Sequence, residues 1–272
     1  STYPQQQTDK MLANMQGSLK TGFTSASYKG FDAEEVNVTV DIEEGKMHIP
    51  TFTTQVNNGQ VSLGCDVDFT QQPAVVTLPQ PLDVANDVQI NEQVSTELLR
   101  YVNPIFANAV QVSGVMDFNC TELYFPLDAD KKNQARVAAT LAMNKLRMQS
   151  QGLLNKIFSL GGSGPRGQLM RIAPTQFQLR DGELSYDDML LVVGDNPVNF
   201  QGRIGLDEKL DMKVKLPYTT DMDTVHVDEQ ASQQRLEVAL TGTIRQPQLD
   251  LSGIVEQQLR HRVREGLRGL FD

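Results

Sequence analysis

The side chains able to do chemistry are few and far apart in this chain. Its three histidines, His48, His226 and His261, each stand in a different setting. Nucleophilic hydrolysis needs a nucleophile, a base and an orienting group, and no local motif that assembles them is present. Asp221, Asp223, His226, Asp228 and Glu229 offer carboxylate and imidazole donors to a divalent cation. They lack the glycine and the ligand spacing of an EF-hand, so a solvated loop is the reading. Gly161–Gly167 is rich in glycine but is not GxxxxGK followed by Ser or Thr, which makes it a hinge and not a phosphate cradle. The pairs Asp187–Asp188 and Glu43–Glu44 read as turn residues. No catalytic residue and no metal site is therefore assigned, and the chain is read as a non-enzyme.

Cys65 and Cys120 fall on the apolar phase of alternating runs: Val61, Leu63, Cys65, Val67, Phe69, and Val112, Met116, Phe118, Cys120. Buried free thiols are one reading, since cysteine is among the most buried residue types. A disulfide between neighbouring strands in an oxidising compartment is the other. No Cys/His spacing points to a metal. Asn37–Val38–Thr39 and Asn119–Cys120–Thr121 match the glycosylation sequon, but both sit inside expected strands.

With 272 residues the chain can bury a substantial core, and its net charge of −10 argues against nucleic acid as a partner. Aromatics make up 6% and tryptophan is absent, unlike a membrane barrel with aromatic girdles. Ser1 opens the chain with no signal-type apolar segment after it, so either a targeting segment has been removed or this is a piece of something longer.

The elements around these residues are mostly strands. Apolar and polar residues alternate through Val36–Ile42, Met47–Ile49, Val61–Phe69, Val198–Ile204, Leu210–Leu216 and Leu236–Ile244, and a period of two makes one face of a sheet greasy. Turn signals at Glu43–Gly45, Asn57–Gly59, Arg180–Gly182, Gly194–Asn196 and Gly205–Asp207 separate the runs into hairpins. Pro50 is placed to force a change of phase before Phe52. Residues 71–88, with Pro73, Pro79 and Pro81, read as an edge or connector. Helices are expected near 8–20, 91–109 and 150–160, and a terminal one near 252–270.

The fold class expected is mainly β with a few short helices: a curled antiparallel sheet of meander hairpins, capped by amphipathic helices and a C-terminal helix. Its parts would be an N-terminal subdomain over 1–160 and a C-terminal meander plus helix over 161–272, or one continuous domain. Helices this sparse leave much of the greasy face without cover, so the sheet must curl into a groove whose lining needs an apolar guest. Candidates for that lining are Val61, Leu63, Val67, Phe69, Met116, Phe118, Val198, Phe200, Ile204, Leu210, Met212, Val214, Leu216, Leu236, Val238, Leu240 and Ile244. On the last helix, Leu259, Leu267 and Phe271 alternate with Arg260, Arg264 and Arg268. That pattern suits either packing on the sheet or an anionic membrane or partner groove.

Particular strings carry a resemblance. FQLRDGELSYDDMLLVVGDNPVNFQGRIGLDEKLDMKVKLPYT over Phe177–Thr219, followed by LEVALTGTIRQPQLDL over Leu236–Leu251 and an amphipathic end, resembles the C-terminal region of AsmA-like proteins. These bacterial envelope proteins include the AsmA, TamB and YhdP types. The recurring step, an apolar residue then xGTφxxPxLDL, is met by Gly242, Thr243, Ile244, Pro247, Leu249, Asp250 and Leu251; LLRYVNPIFA at Leu98–Ala107 and GLLNKIF at Gly152–Phe158 fit more loosely. The resemblance implies an elongated β-groove that solvates acyl chains and moves phospholipid in the periplasm, in outer membrane biogenesis. It would be anchored in the inner membrane through a segment absent from this chain. It implies no catalytic residues and no cofactor beyond a bound phospholipid or fatty acid. Partners would be membrane lipids and another envelope protein, met through the C-terminal helix or a sheet edge. One departure is that the helices near 91–109 and 150–160 are placed to plug the groove, which would make the chain a docking or assembly domain with a filled core.

Overall fold

The computed structural model describes residues 16–107, 109–150, 152–160, 169–194, 196–217 and 235–252. The alternating runs form one antiparallel sheet of fourteen strands among these residues. Its first half is β1 Gly17–Tyr28, β2 Phe31–Glu43, β3 Lys46–Val56, β4 Gly59–Asp68, β5 Val75–Thr77, β6 Leu82–Ile90 and β7 Ala109–Pro126. The second half is β8 Arg136–Ser150, β9 Met170–Arg180, β10 Glu183–Val193, β11 Asn196–Gly205, β12 Leu210–Pro217, β13 Arg235–Gly242 and β14 Pro247–Asp250. Helix is confined to α1 Glu92–Glu97, α2 Leu153–Leu160 and short 3-10 turns at Leu99–Tyr101, Pro104–Phe106 and Ala129–Gln134. The protein is mainly β, as the alternation predicts.

Neighbours in the sheet follow chain order except at its centre. There β4 and β7 diverge, and two short strands share the gap. β5 joins Asp66–Asp68 to Tyr124–Pro126, while β6 joins Gln60–Val61 to Gly114–Cys120. Residues 71–88 are therefore not an edge or a bare connector. Their prolines fall between strands, where no ladder amide is lost. β8 pairs with β9 along Val137–Leu146, so a single sheet runs through both parts of the chain.

Tight hairpins set the register. Glu44–Gly45, Asn57–Asn58 and Asp181–Gly182 each hold two consecutive residues at positive φ, the conformation that matches the twist of the flanking strands. The pairing slips between Ile49 and Phe52, across Pro50, which keeps both side chains on one face. The Gly242–Thr243 step is a turn as well. Gly242 sits at φ +86, and a Cβ there would lie 2.5 Å from Gln246 O, while Ile244 N donates to Glu208 O at 2.9 Å.

One expected helix is corrected. Residues 8–15 lie outside the described residues, but from Gly17 the chain is strand β1, paired with β2 from Gly17↔Ile42 to Tyr28↔Phe31. In GSLKTGFTSASY the glycines, serines and threonines are poor helix formers, and pairing with β2 holds the segment as a strand. The terminal helix and the loop over 219–234 lie outside the described residues. The helices near 91–109 and 150–160 appear as α1 with its two following 3-10 turns, and as α2.

Candidate functional site

A cavity of about 660 Å³ opens in the N-terminal half of the sheet. One wall is built by β1 to β4, through Ala26, Tyr28, Phe31, Ala33, Phe52, Val56, Val61 and Leu63. The opposite wall comes from β6 to β9, through Ala85, Met116, Phe118, Leu141 and Phe177. Strands in a flat sheet are ~4.8 Å apart, which would leave β1 and β9 roughly 30 Å from one another. Lining one cavity from both requires the sheet to curl. Phe118 of β7 and Phe177 of β9 meet over the intervening β8, ring centroids 5.9 Å apart and tilted by 31°.

Local backbone devices turn these side chains inward. Ala33 and Val36 both reach the cavity although three residues apart, and Glu35 between them takes a left-handed φ of 52 that re-aims the strand. Gly59 lets β4 approach β6 so closely that a Cβ there would lie 2.5 Å from Asp87 O. α1 and the turn after it supply a third side with Val94, Leu98, Leu99, Tyr101 and Val102. Asn91 caps α1 by accepting from Val94 N and donates to Gly30 O at 2.9 Å, which ties the segment to the β1–β2 hairpin.

The lining is apolar almost throughout. Its one threonine, Thr54, spends its hydroxyl on Glu34 O at 2.6 Å. No charged side chain lines the cavity among the described residues. Leu63, Leu98, Tyr28 and Tyr101 line it and are exposed, so it is open to solvent at their side.

The groove candidates among the described residues divide into three groups. Val61, Leu63, Met116 and Phe118 line the cavity. Val67 is buried and Phe69 half-buried beyond the end of β4, and neither reaches it. Val198, Phe200, Ile204, Leu210, Met212, Val214, Leu216, Val238, Leu240 and Ile244 are at most 6% exposed and belong to a packed core. A trough open to solvent along β10 to β14 would have left them accessible. The side chain of Leu236 lies outside the described residues, as do Leu259, Arg260, Arg264, Leu267, Arg268 and Phe271.

Segments read as plugs fill this second half. Ile105, Phe106, Leu153, Leu154 and Ile157 are all buried in the same core. Asn103 is fully buried at the start of the Pro104–Phe106 turn; its Oδ1 accepts from Ile105 N at 3.0 Å. Its Nδ2 reaches Tyr186 Oη at 3.1 Å and Met189 Sδ at 3.3 Å. Burial pushes the Tyr186 phenol well above its usual range, offset only in part by Asn103.

The polar chemistry lies elsewhere and is dispersed. His48 Nδ1 meets Asp66 Oδ1 at 2.5 Å across β3 and β4, with both side chains exposed. Asp187 and Asp188 lie in a bulge of β10 instead of a turn, and Asp188 accepts from Asn199. Arg180 and Arg136 hold the Glu122 carboxyl below the usual range. No group of three or more His, Cys, Asp or Glu able to hold a metal occurs among the described residues. Cys65 and Cys120 are free, and burial raises both thiols. No helix among the described residues is long and apolar enough to cross a membrane.

Sequence reasoning missed most of the lining. Tyr28 and Phe31 flank the Lys29–Gly30 turn, and the helix expected near 91–109 as a plug forms a side of the cavity through Val94–Val102. No protein-family model, no curated protein and no solved structure matches the chain. No family is therefore assigned.

Proposed function

We propose that the protein binds the acyl part of a lipid, without catalysis, in the cavity between β1–β4 and β6–β9. The observation that carries this is a cavity of about 660 Å³ lined by apolar side chains, with its only threonine hydroxyl already satisfied. Small-molecule sites span roughly 300–1,000 Å³, and a wall whose polar atoms are one satisfied threonine hydroxyl and two tyrosine hydroxyls at the rim holds an apolar guest in its interior without selecting it by hydrogen bonds. Water in such a space finds no partners, so an acyl chain that displaces it gains the hydrophobic term of about 25 cal/mol per Å² buried. Transfer of phospholipid in a bacterial cell envelope, which the AsmA-like resemblance implies, belongs to the same proposal. The packed half confines the ligand to the N-terminal strands.

Binding of the neutral fluorophore N-phenylnaphthylamine tests the reading. The protein takes up the probe, Leu63→Trp at the open side weakens uptake, and mass spectrometry of an organic extract finds copurified lipid. No uptake by the wild-type protein would sink the proposal.

A second reading has its own support. The filled core under β10–β14 suits a docking or assembly domain, and β1 is exposed along its whole length as the edge of the sheet. Removing residues 253–272 then abolishes capture of an envelope partner and leaves probe uptake intact.

A further inference from the structure

Two tyrosines line the cavity and also face solvent: Tyr28 is 71% and Tyr101 40% exposed. Residues that do both stand on its rim. Each ring carries a cation on its face, with Lys29 Nζ 5.6 Å from the Tyr28 centroid and Arg100 Cζ 4.8 Å from that of Tyr101. Arg100 Nη2 also donates to Tyr101 Oη at 2.9 Å. Its Nε is buried with no hydrogen-bond partner, a costly state for a charged donor. Lys29 has Glu97 at 3.9 Å, a loose and exposed pairing.

These cations share one end of the cavity. Asn91, at the start of the segment that carries Arg100, donates to Gly30 O at 2.9 Å and so ties the Lys29–Gly30 turn to that segment, while Asn57 of the β3–β4 turn donates to the same oxygen at 2.8 Å. In a chain of net charge −10, a guanidinium with an unmatched donor beside a cavity free of charge is a local reversal of sign. The other N–H groups of its planar fork suit a carboxylate or phosphate, which offers acceptors beyond Tyr101 Oη.

Building on the cavity reading above, we infer that the ligand is an amphiphile with an anionic head: its tail enters the cavity and its carboxylate or phosphate is met by Arg100 and Lys29 on the rim. Tyr101 and Tyr28 hold the two cations in place and give the first carbons of the tail an aromatic surface.

Displacement of bound N-phenylnaphthylamine tests this in the full chain. Laurate and lauryl phosphate should compete about tenfold better than lauryl alcohol, the effect of one charge-assisted contact. Inorganic phosphate, which has no tail, leaves the probe in place. Arg100→Gln and Lys29→Gln each weaken the anionic competitors about fivefold and leave the alcohol unchanged, while Arg100→Lys, which keeps the charge and loses the fork, weakens them about twofold. Urea midpoints near wild type show that the variants are folded, and the exposed Lys29→Gln carries the test if Arg100→Gln is not. Equal competition by laurate and the alcohol, or equal losses for both in the variants, overturns the anionic head while the cavity reading stands. Displacement by inorganic phosphate alone overturns it too. Failure of the probe to bind at all overturns both.

Discussion

Asn103→Ala tests whether the Pro104–Phe106 turn is a fixed plug. Asn103 is fully buried and serves three partners: the Ile105 amide, the Tyr186 hydroxyl and the Met189 sulfur. Loss of a cap of this kind costs about 0.5–2 kcal/mol. A buried hydroxyl left without a partner costs about 1–3 kcal/mol more. The sum is about 3 kcal/mol at its centre. For a chain of this size the denaturant slope in urea is about 3 kcal/mol per molar, so the midpoint should fall by about 1 M. Circular dichroism in the far ultraviolet reads it, since tryptophan is absent. Tyr186→Phe in the Asn103→Ala background removes the orphaned hydroxyl, and the double variant should recover about 1–2 kcal/mol relative to the sum of the single losses. A midpoint shift under about 0.2 M, or strict additivity of the two changes, would refute the plug.

Three other outcomes follow from the same geometry. Tyr186 has its folded-state pKa raised by burial, so its contribution to stability is complete below the ordinary phenol value of about 10 and is lost as pH rises above it. Alkaline titration of stability should therefore steepen above about pH 10, and Tyr186→Phe should flatten that limb. Both thiols are held up by burial, so a disulfide reagent at mildly alkaline pH should label the native protein slowly, the half-buried Cys65 before the buried Cys120, and both rapidly in urea. Phe200→Ala in the packed half should cost about 3–5 kcal/mol in urea unfolding and leave probe uptake unchanged. Phe52→Ala, at a half-buried position on the cavity, should do the reverse: a loss of about 1 kcal/mol and weakened uptake.

The strands and most of their turns were legible because each rests on local chemistry. Alternation marks Val61–Phe69 as a half-buried strand whatever lies above it, and Asn57–Asn58 turns the chain because asparagine tolerates positive φ. β1 was illegible for the same kind of reason: GSLKTGFTSASY alternates poorly, and its partner strand, not its own pattern, makes it a strand. The cavity was harder, because Val61 and Val198 sit in equally regular runs while one lines a void and the other a packed core. What separates them is what covers them. Asn103 ties the buried Pro104–Phe106 turn to Tyr186 and Met189 of β10, whereas α1 flanks the first half and leaves Leu98 and Tyr101 at its open side. Side-chain size leaves a trace of this difference. Ala26, Ala33 and Ala85 stand in the cavity wall, where a larger residue would reach into the space. Phe200, Met212, Leu216 and Leu240 fill the closed half. These three alanines leave room that the larger wall residues Phe31, Phe52, Phe118 and Phe177 do not fill. Replacing Ala33 with Leu puts that inference to work: the added methyl groups should fill the cavity and reduce probe uptake with little loss of stability, since the space they enter is already there.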